Sequence, residues 1–157
     1  MELSPKTILT QMLDAAGVSY SDVEHTQLAG QDIYTIRTDD PKKLIGTRGD
    51  VVHALDHLVK KIYEEQMPES AEGTRTRAPL FLIDVDGYRS RQIEELQAKV
   101  RMMADRARSF QYDVELSPMN SYERLIVHTT LANEPNVRTE SQGEGGGRRV
   151  VIKYSAA

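Results

Sequence analysis

The chain has 157 residues, enough for one ordinary domain or two small ones, with 39% hydrophobic and 28% charged residues. That balance excludes a disordered chain, and no apolar run is long enough to span a bilayer as a helix. The absence of cysteine excludes disulfides and thiolate metal sites, and the net charge of −4 argues against coating nucleic acid through bulk positive charge.

The first predicted element is a helix. Ser4 is its N-cap and Pro5 its first residue, Ile8, Leu9, Met12, Leu13 and Ala16 recur at helical spacing, and Gly17 stops it. Residues 23–28 and 33–37 read as two strands about a turn at Ala29-Gly30. Asp40 caps a short helix that starts at Pro41 and carries Leu44 and Ile45. The segment Gly46-Thr47-Arg48-Gly49 follows, with Lys42 and Lys43 one turn upstream. Beyond it Val52, Leu55, Leu58, Val59, Ile62 and Tyr63 form one stripe of a helix running to about Gln66. Residues 67–78 read as a polar loop and residues 80–85 as a buried strand.

Asp86-Gly87 breaks the chain, and a long helix follows in which Ile93, Leu96, Val100, Met103, Ala107 and Phe110 form a narrow stripe. Arg89, Arg91, Lys99, Arg101, Arg106 and Arg108 lie off that stripe. Val114 and Leu116 mark a short strand. Ser117-Pro118 opens a helix from about Met119 to Leu131, with Tyr122, Leu125, Ile126 and Thr129 facing inward. Residues 137–141, a turn over Gly143–Gly147 and residues 148–154 read as a β-hairpin.

Two constellations carry chemistry. A G-x-x-G loop lets backbone approach a sugar-phosphate chain closely, and the N-terminus of the helix after it favours phosphate. Arg48 adds a cation and Thr47 a hydroxyl. The second is Tyr122-Glu123-Arg124-Leu125-Ile126-Val127-His128, where Arg124 and His128 stack four residues apart, about 40° round the helix. An Arg and a His on one ridge can hold a phosphate or stack on a base. Arg138, Arg148 and Arg149 are positioned to extend that surface. Basic charge is local rather than global: residues 1–78 carry nine Lys and Arg against thirteen Asp and Glu, and residues 79–157 eleven against eleven.

Other motifs fail on chemistry. His53 and His57 are spaced like a zinc pair, but Ala54 stands where a general base is required and no third ligand is evident. Asp84 to Glu95 has the length of a calcium loop, yet Arg89 and Tyr88 occupy positions needing a glycine and an oxygen ligand. Gly143–Gly147 lacks the Lys-Ser/Thr of a phosphate loop and precedes a strand.

The order α-β-β-α-loop-α-β, with the glycine loop between the last two helices, resembles the type II KH fold over roughly residues 4–86, whose loop clamps about four single-stranded nucleotides. Pro118 to His128, with Arg138-Thr139-Glu140-Ser141 and Arg148-Arg149-Val150-Val151-Ile152, resembles the Arg-x-x-x-His domain of single-stranded nucleic-acid binders. Together the halves resemble the bacterial Jag family, called KhpB or EloR in some lineages. Many of its members carry a further N-terminal domain, and their loop often has Lys at the first variable position, where this chain has Thr47-Arg48.

The expectation is a mixed α/β, α+β fold: a type II KH domain at 1–86, then a small Arg-x-x-x-His domain at 87–157. The resemblance implies a cytoplasmic, non-enzymatic protein that binds single-stranded RNA, with single-stranded DNA as the alternative. It also implies a smaller KH-domain protein as partner and a link to cell elongation and division; no membrane association is expected, on the lack of a spanning apolar run. The expected site is Lys42, Lys43, Gly46, Thr47, Arg48, Gly49, Arg124, His128 and Arg138, with no catalytic or metal-ligating residue and no cofactor. The competing class is a protein-interaction scaffold with an idle loop.

Overall fold

The computed structural model describes residues 3–67 and 81–156. The chain divides into two compact units, Met1–Ser90 and Arg91–Ala157, so the boundary falls inside a helix. Both mix helix with a small sheet.

In the first unit, helix α1 spans Pro5–Ala15, and the Ser4 hydroxyl accepts the Thr7 amide at its start. Strands β1 (Asp22–Leu28) and β2 (Gln31–Arg37) form an antiparallel hairpin in the register Val23 to Ile36. Helix α2 (Pro41–Ile45) and helix α3 (Asp50–Glu65) flank the glycine loop. Strand β3 (Phe81–Val85) pairs parallel to β2 and completes the order β1-β2-β3. Leu80 and the expected polar loop beyond Met67 lie outside the described residues. Ile8, Leu9 and Leu13 of α1, Val52 and Val59 of α3, and Ile83 and Val85 of β3 share one core.

Helix α4 spans Tyr88–Phe110. Its first turn is held within the first unit: Asp84 Oδ1 accepts the amides of Val85 and Arg89, both at 2.7 Å, while Oδ2 accepts the Ser90 hydroxyl at 2.7 Å. Arg89 is not a surface cation. Its side chain is 3% exposed, and Nη1 lies 3.1 Å from Asp56 Oδ1 and 3.3 Å from the Ile83 carbonyl. Asp56 in turn accepts the Ile83 amide and pairs with Lys60 at 2.8 Å. The pair meets the requirement that a buried charge be both paired and hydrogen-bonded.

In the second unit, strands β4 (Val114–Glu115), β5 (Val137–Gln142) and β6 (Arg149–Tyr154) form an antiparallel sheet in the order β4-β6-β5. Helix α5 covers Ser121–Leu131. Its cap is Asn120 rather than Ser117: Asn120 and Glu123 bond each other's backbone amides in a capping box. Residues 116–119 cannot turn earlier, because the Leu116 and Met119 amides bond the Val150 and Arg148 carbonyls alongside β6.

Two inward-facing assignments also change. Phe110 is 69% exposed: the seam of α4 keeps the expected Ile93, Val100 and Ala107, gains Ala104, and ends before Phe110. The alanines let the helix lie close on the sheet. On α5 the buried residues are Ile126, Val127 and Leu131, and Thr129 is exposed.

Candidate nucleic-acid interface

The glycine loop is built from backbone conformations that side chains resist. Gly46 has φ 76° and ψ −169°, a region essentially reserved for glycine. A Cβ there would overlap the Asp50 carboxylate and meet Val51. Thr47–Gly49 then make a single 3-10 turn in which Arg48 adopts φ 54°. Gly49, at φ 81°, is buried because the Tyr88 ring and His53 pack where its Cβ would stand. Thr47 and Arg48 are consequently pushed to the surface, as are Lys42 and Lys43 in the last turn of α2. These six expected site residues form one continuous stretch of the first unit. Asp50, the first residue of α3, sets a negative charge at that helix N-terminus and offsets part of its pull on phosphate.

His53 borders this loop through Gly49. Burial first, then the Arg89 charge, pushes its imidazole below the ordinary value of 6.5. Its apolar and cationic surroundings favour the neutral ring.

In the second unit Arg124 and His128 share one face of α5 with the buried Val127 and Leu131. That placement puts His128 beside β5 and leaves it half-buried. Its Nδ1 lies 2.6 Å from Thr139 Oγ1 and its Nε2 2.8 Å from Ser141 Oγ. A neutral imidazole donates from one nitrogen and accepts at the other, and hydroxyls can serve either role. Burial, followed by the charges of Arg124 and Arg148, pushes His128 below 6.5. His128 therefore joins α5 to β5 as a neutral, doubly hydrogen-bonded ring.

Arg124 is oriented by two acceptors, the Met119 carbonyl at 2.7 Å and the Ser121 hydroxyl at 3.1 Å. Arg124 lines an open cleft together with Pro118, Met119, Asn120, Ser121 and the acidic Glu123, whose carboxylate is held by the Asn120 amide. Gly145, Gly146 and Arg148 line the same cleft. Arg148 Nη1 donates to the Gly143 carbonyl at 2.8 Å, so the glycine turn between β5 and β6 positions a second cation in the cleft that Arg124 lines. From sequence, Arg148 is only an optional extension of the surface. In the structure it is a principal wall of the cleft, brought there by the hairpin pairing of Ser141 with Val150.

Arg138 does not join this group. Alternate residues of a strand face opposite ways, and Thr139 and Ser141 are the ones turned to His128. Arg138 lies on the other face of β5, 65% exposed and 3.8 Å from Glu140. Arg149 is likewise engaged elsewhere, with Glu115. Among the described residues, no group of three or more His, Cys, Asp or Glu side chains converges as metal ligands would. No helix among them is long and apolar enough to cross a membrane.

Comparison with known proteins places names beside this geometry. The family model of the Arg-x-x-x-His domain matches residues 94–154, which include Arg124, His128 and Arg148. The RNA-binding protein KhpB of Clostridium symbiosum is 31% identical over 145 residues, covering 92% of this chain and 62% of that protein. The RNA-binding protein KhpB of Bacillus subtilis is 30% identical over 123 residues, covering 77% of this chain and 55% of that protein. The protein of the same name from Lactiplantibacillus plantarum is 31% identical over 125 residues, which is 78% of this chain and 36% of the relative. The chain thus spans less than two thirds of the length of the curated relatives it matches. An Arg-x-x-x-His domain over residues 94–154, together with relatives named KhpB at about 30% identity, fits the Jag (KhpB) family.

Proposed function

We propose that this protein binds single-stranded RNA at two sites, one in each unit, and that it is a binding protein rather than an enzyme. The observation that carries the reading is the cleft of the Arg-x-x-x-His domain, which Arg124 and Arg148 both line and where both charges act on His128. Two arginines lining one open cleft suit a phosphate, whose oxygens accept charge-assisted hydrogen bonds. The names of the relatives support RNA as the ligand.

For the first unit we read a type II KH domain. Its order α1-β1-β2-α2-loop-α3-β3 and the parallel β2–β3 pair support this, as does the loop geometry at Gly46 and Gly49. Lys42, Lys43 and Arg48 then supply cations beside a backbone clamp. Tethering two weak sites raises overall affinity through effective concentration. Any contribution of Arg138 to binding comes from the opposite face of the second unit's sheet. Leu58 and Ile62, exposed on α3, favour a protein partner on the first unit, and a smaller KH protein is the partner the family resemblance implies. A cytoplasmic regulator acting after transcription, with a role in cell elongation, is the setting this reading implies.

The test is fluorescence anisotropy with an unstructured RNA, DNA of the same sequence and a duplex, each at two salt concentrations. Salt-sensitive binding to the single strand is expected. Thr47→Asp with Arg48→Asp weakens it, and Arg124→Ala weakens it separately, because the two changes lie in different units. Equal binding by wild type and both variants would refute the assignment of the sites.

A further inference from the structure

We propose that the second unit carries another strand-binding surface, an aromatic platform of Phe110 and Tyr112 at the end of α4, on which unpaired RNA bases stack. The proposal rests on the reading above that the chain binds single-stranded RNA, and adds a site at the far end of β6 from Arg148.

Phe110 is 69% and Tyr112 47% exposed, an arrangement that costs apolar hydration and has no role in the core. The two rings lie 5.9 Å apart, tilted by 35°. Gln111 between them adopts φ 53°, a conformation that L side chains seldom take, and it places the two flanking rings together. The Tyr112 amide closes the helix on the Ala107 carbonyl, so the platform is anchored.

Charge identifies the occupant. Lys99, Met102, Arg106 and Phe110 follow steps of three, four and four, which places them within about 80° of helix circumference. All four are exposed, and among the described residues neither Lys99 nor Arg106 has an ion pair. Of the neighbouring acids, Asp105 pairs with Arg108, Asp113 accepts the Tyr154 amide and pairs with Lys153 at 3.5 Å, and the exposed Glu95 lies one turn before Lys99, at the end of the row away from the rings. A row of unpaired cations leading to two exposed rings is the combination that tracks a nucleic-acid backbone and stacks its bases. An apolar protein surface would leave both cations unsatisfied.

The platform sits beside Tyr154, and Arg148 precedes the first residue of β6. Six strand residues separate the two ends by about 20 Å. One strand reaching both would run along the domain.

Anisotropy and 2-aminopurine fluorescence, with RNA carrying that base, distinguish the outcomes. Phe110→Ala with Tyr112→Ala is expected to weaken binding roughly tenfold and to abolish the stacking-dependent fluorescence change. An abasic strand of equal length should bind wild type and variant alike. Phe110→Trp retains both signals and serves as the folding-neutral control, with circular dichroism checked for each protein. Unchanged affinity and fluorescence in the double variant would overturn the platform. So would a variant that loses self-association while RNA binding persists, since the patch would then be a protein contact. If wild type binds no RNA, the functional reading falls as well. If the Thr47→Asp/Arg48→Asp protein loses RNA and the aromatic variant does not, only the platform falls.

Discussion

Replacing Gly46 by alanine is the sharpest perturbation of the loop, because three separate costs meet at one carbon. The backbone at φ 76° and ψ −169° costs a non-glycine residue about 1–3 kcal/mol. The added Cβ would overlap the Asp50 carboxylate, which can swing away into solvent. It would also press on the Val51 side chain and, at 3.0 Å, on the Val51 amide nitrogen, which cannot move without shifting the start of α3. A total of about 3 kcal/mol is expected, taken as the upper end of the strain range since the backbone contact adds to it. Gly49→Ala provides an internal scale. Its φ of 81° and ψ of 15° lie in the left-handed region, worth about 1–2 kcal/mol, and the Tyr88 ring at 3.0 Å has some freedom to give. Urea unfolding followed by circular dichroism should therefore rank wild type above Gly49→Ala and both above Gly46→Ala. RNA anisotropy on the same proteins should show Gly46→Ala weakened well beyond any unfolded fraction. A Gly46→Ala protein as stable as wild type, with unchanged RNA affinity, would refute the argument that this geometry is enforced and used.

Arg89→Met leaves the Asp56 carboxylate with Lys60 and the Ile83 amide but without its buried cation, and a loss of about 3 kcal/mol is expected in urea unfolding, the low end for a broken buried pair. Arg148→Ala should weaken single-stranded RNA binding several-fold with no change in melting temperature, and together with Arg124→Ala should cost less than the sum of the two if both hold one phosphate. Acidification should destabilise the protein from pH 6.5 downward. His53 and His128 sit below that value when folded, so the unfolded chain takes up protons first, and stability present above pH 6.5 declines until the folded rings protonate too. His53→Gln with His128→Gln should flatten that slope; an equal slope would assign it to other groups.

Elements with their own local signals are legible from sequence. Ser4-Pro5, Ala29-Gly30 and Asp40-Pro41 mark turns and caps where the structure has them, and the glycine loop falls between α2 and α3 as its spacing requires. What escapes depends on partners distant in sequence. Arg89 reads as a polar residue on a polar helix face, and only Asp56, brought beside it by the packing of α3 on β3, converts it to a buried charge. The helix start at Asn120 hides behind Ser117-Pro118, an equally good local signal, because only pairing along β6 holds residues 116–119 extended. His128 reads as part of an exposed ridge because its hydroxyl partners come from β5. Arg138 enters the expected site as a neighbouring cation in the Arg138-Thr139-Glu140-Ser141 segment, whereas strand alternation turns Arg138 away from the face on which Thr139 meets His128.

Asp84 has a consequence for anyone dividing this protein into pieces. The boundary between the compact units falls after Ser90, yet the amides that begin α4 are satisfied by a carboxylate on the preceding strand. A fragment starting at Arg91 would open with bare N–H groups facing water and would fray back toward Ile93, its first apolar anchor. A fragment that begins at Phe81 keeps the acceptor but carries with it an unpaired, wholly buried strand, an invitation to aggregate. Dissection by truncation will thus perturb the Arg-x-x-x-His half before any nucleic acid is added, and single substitutions in the intact chain are the cleaner instrument.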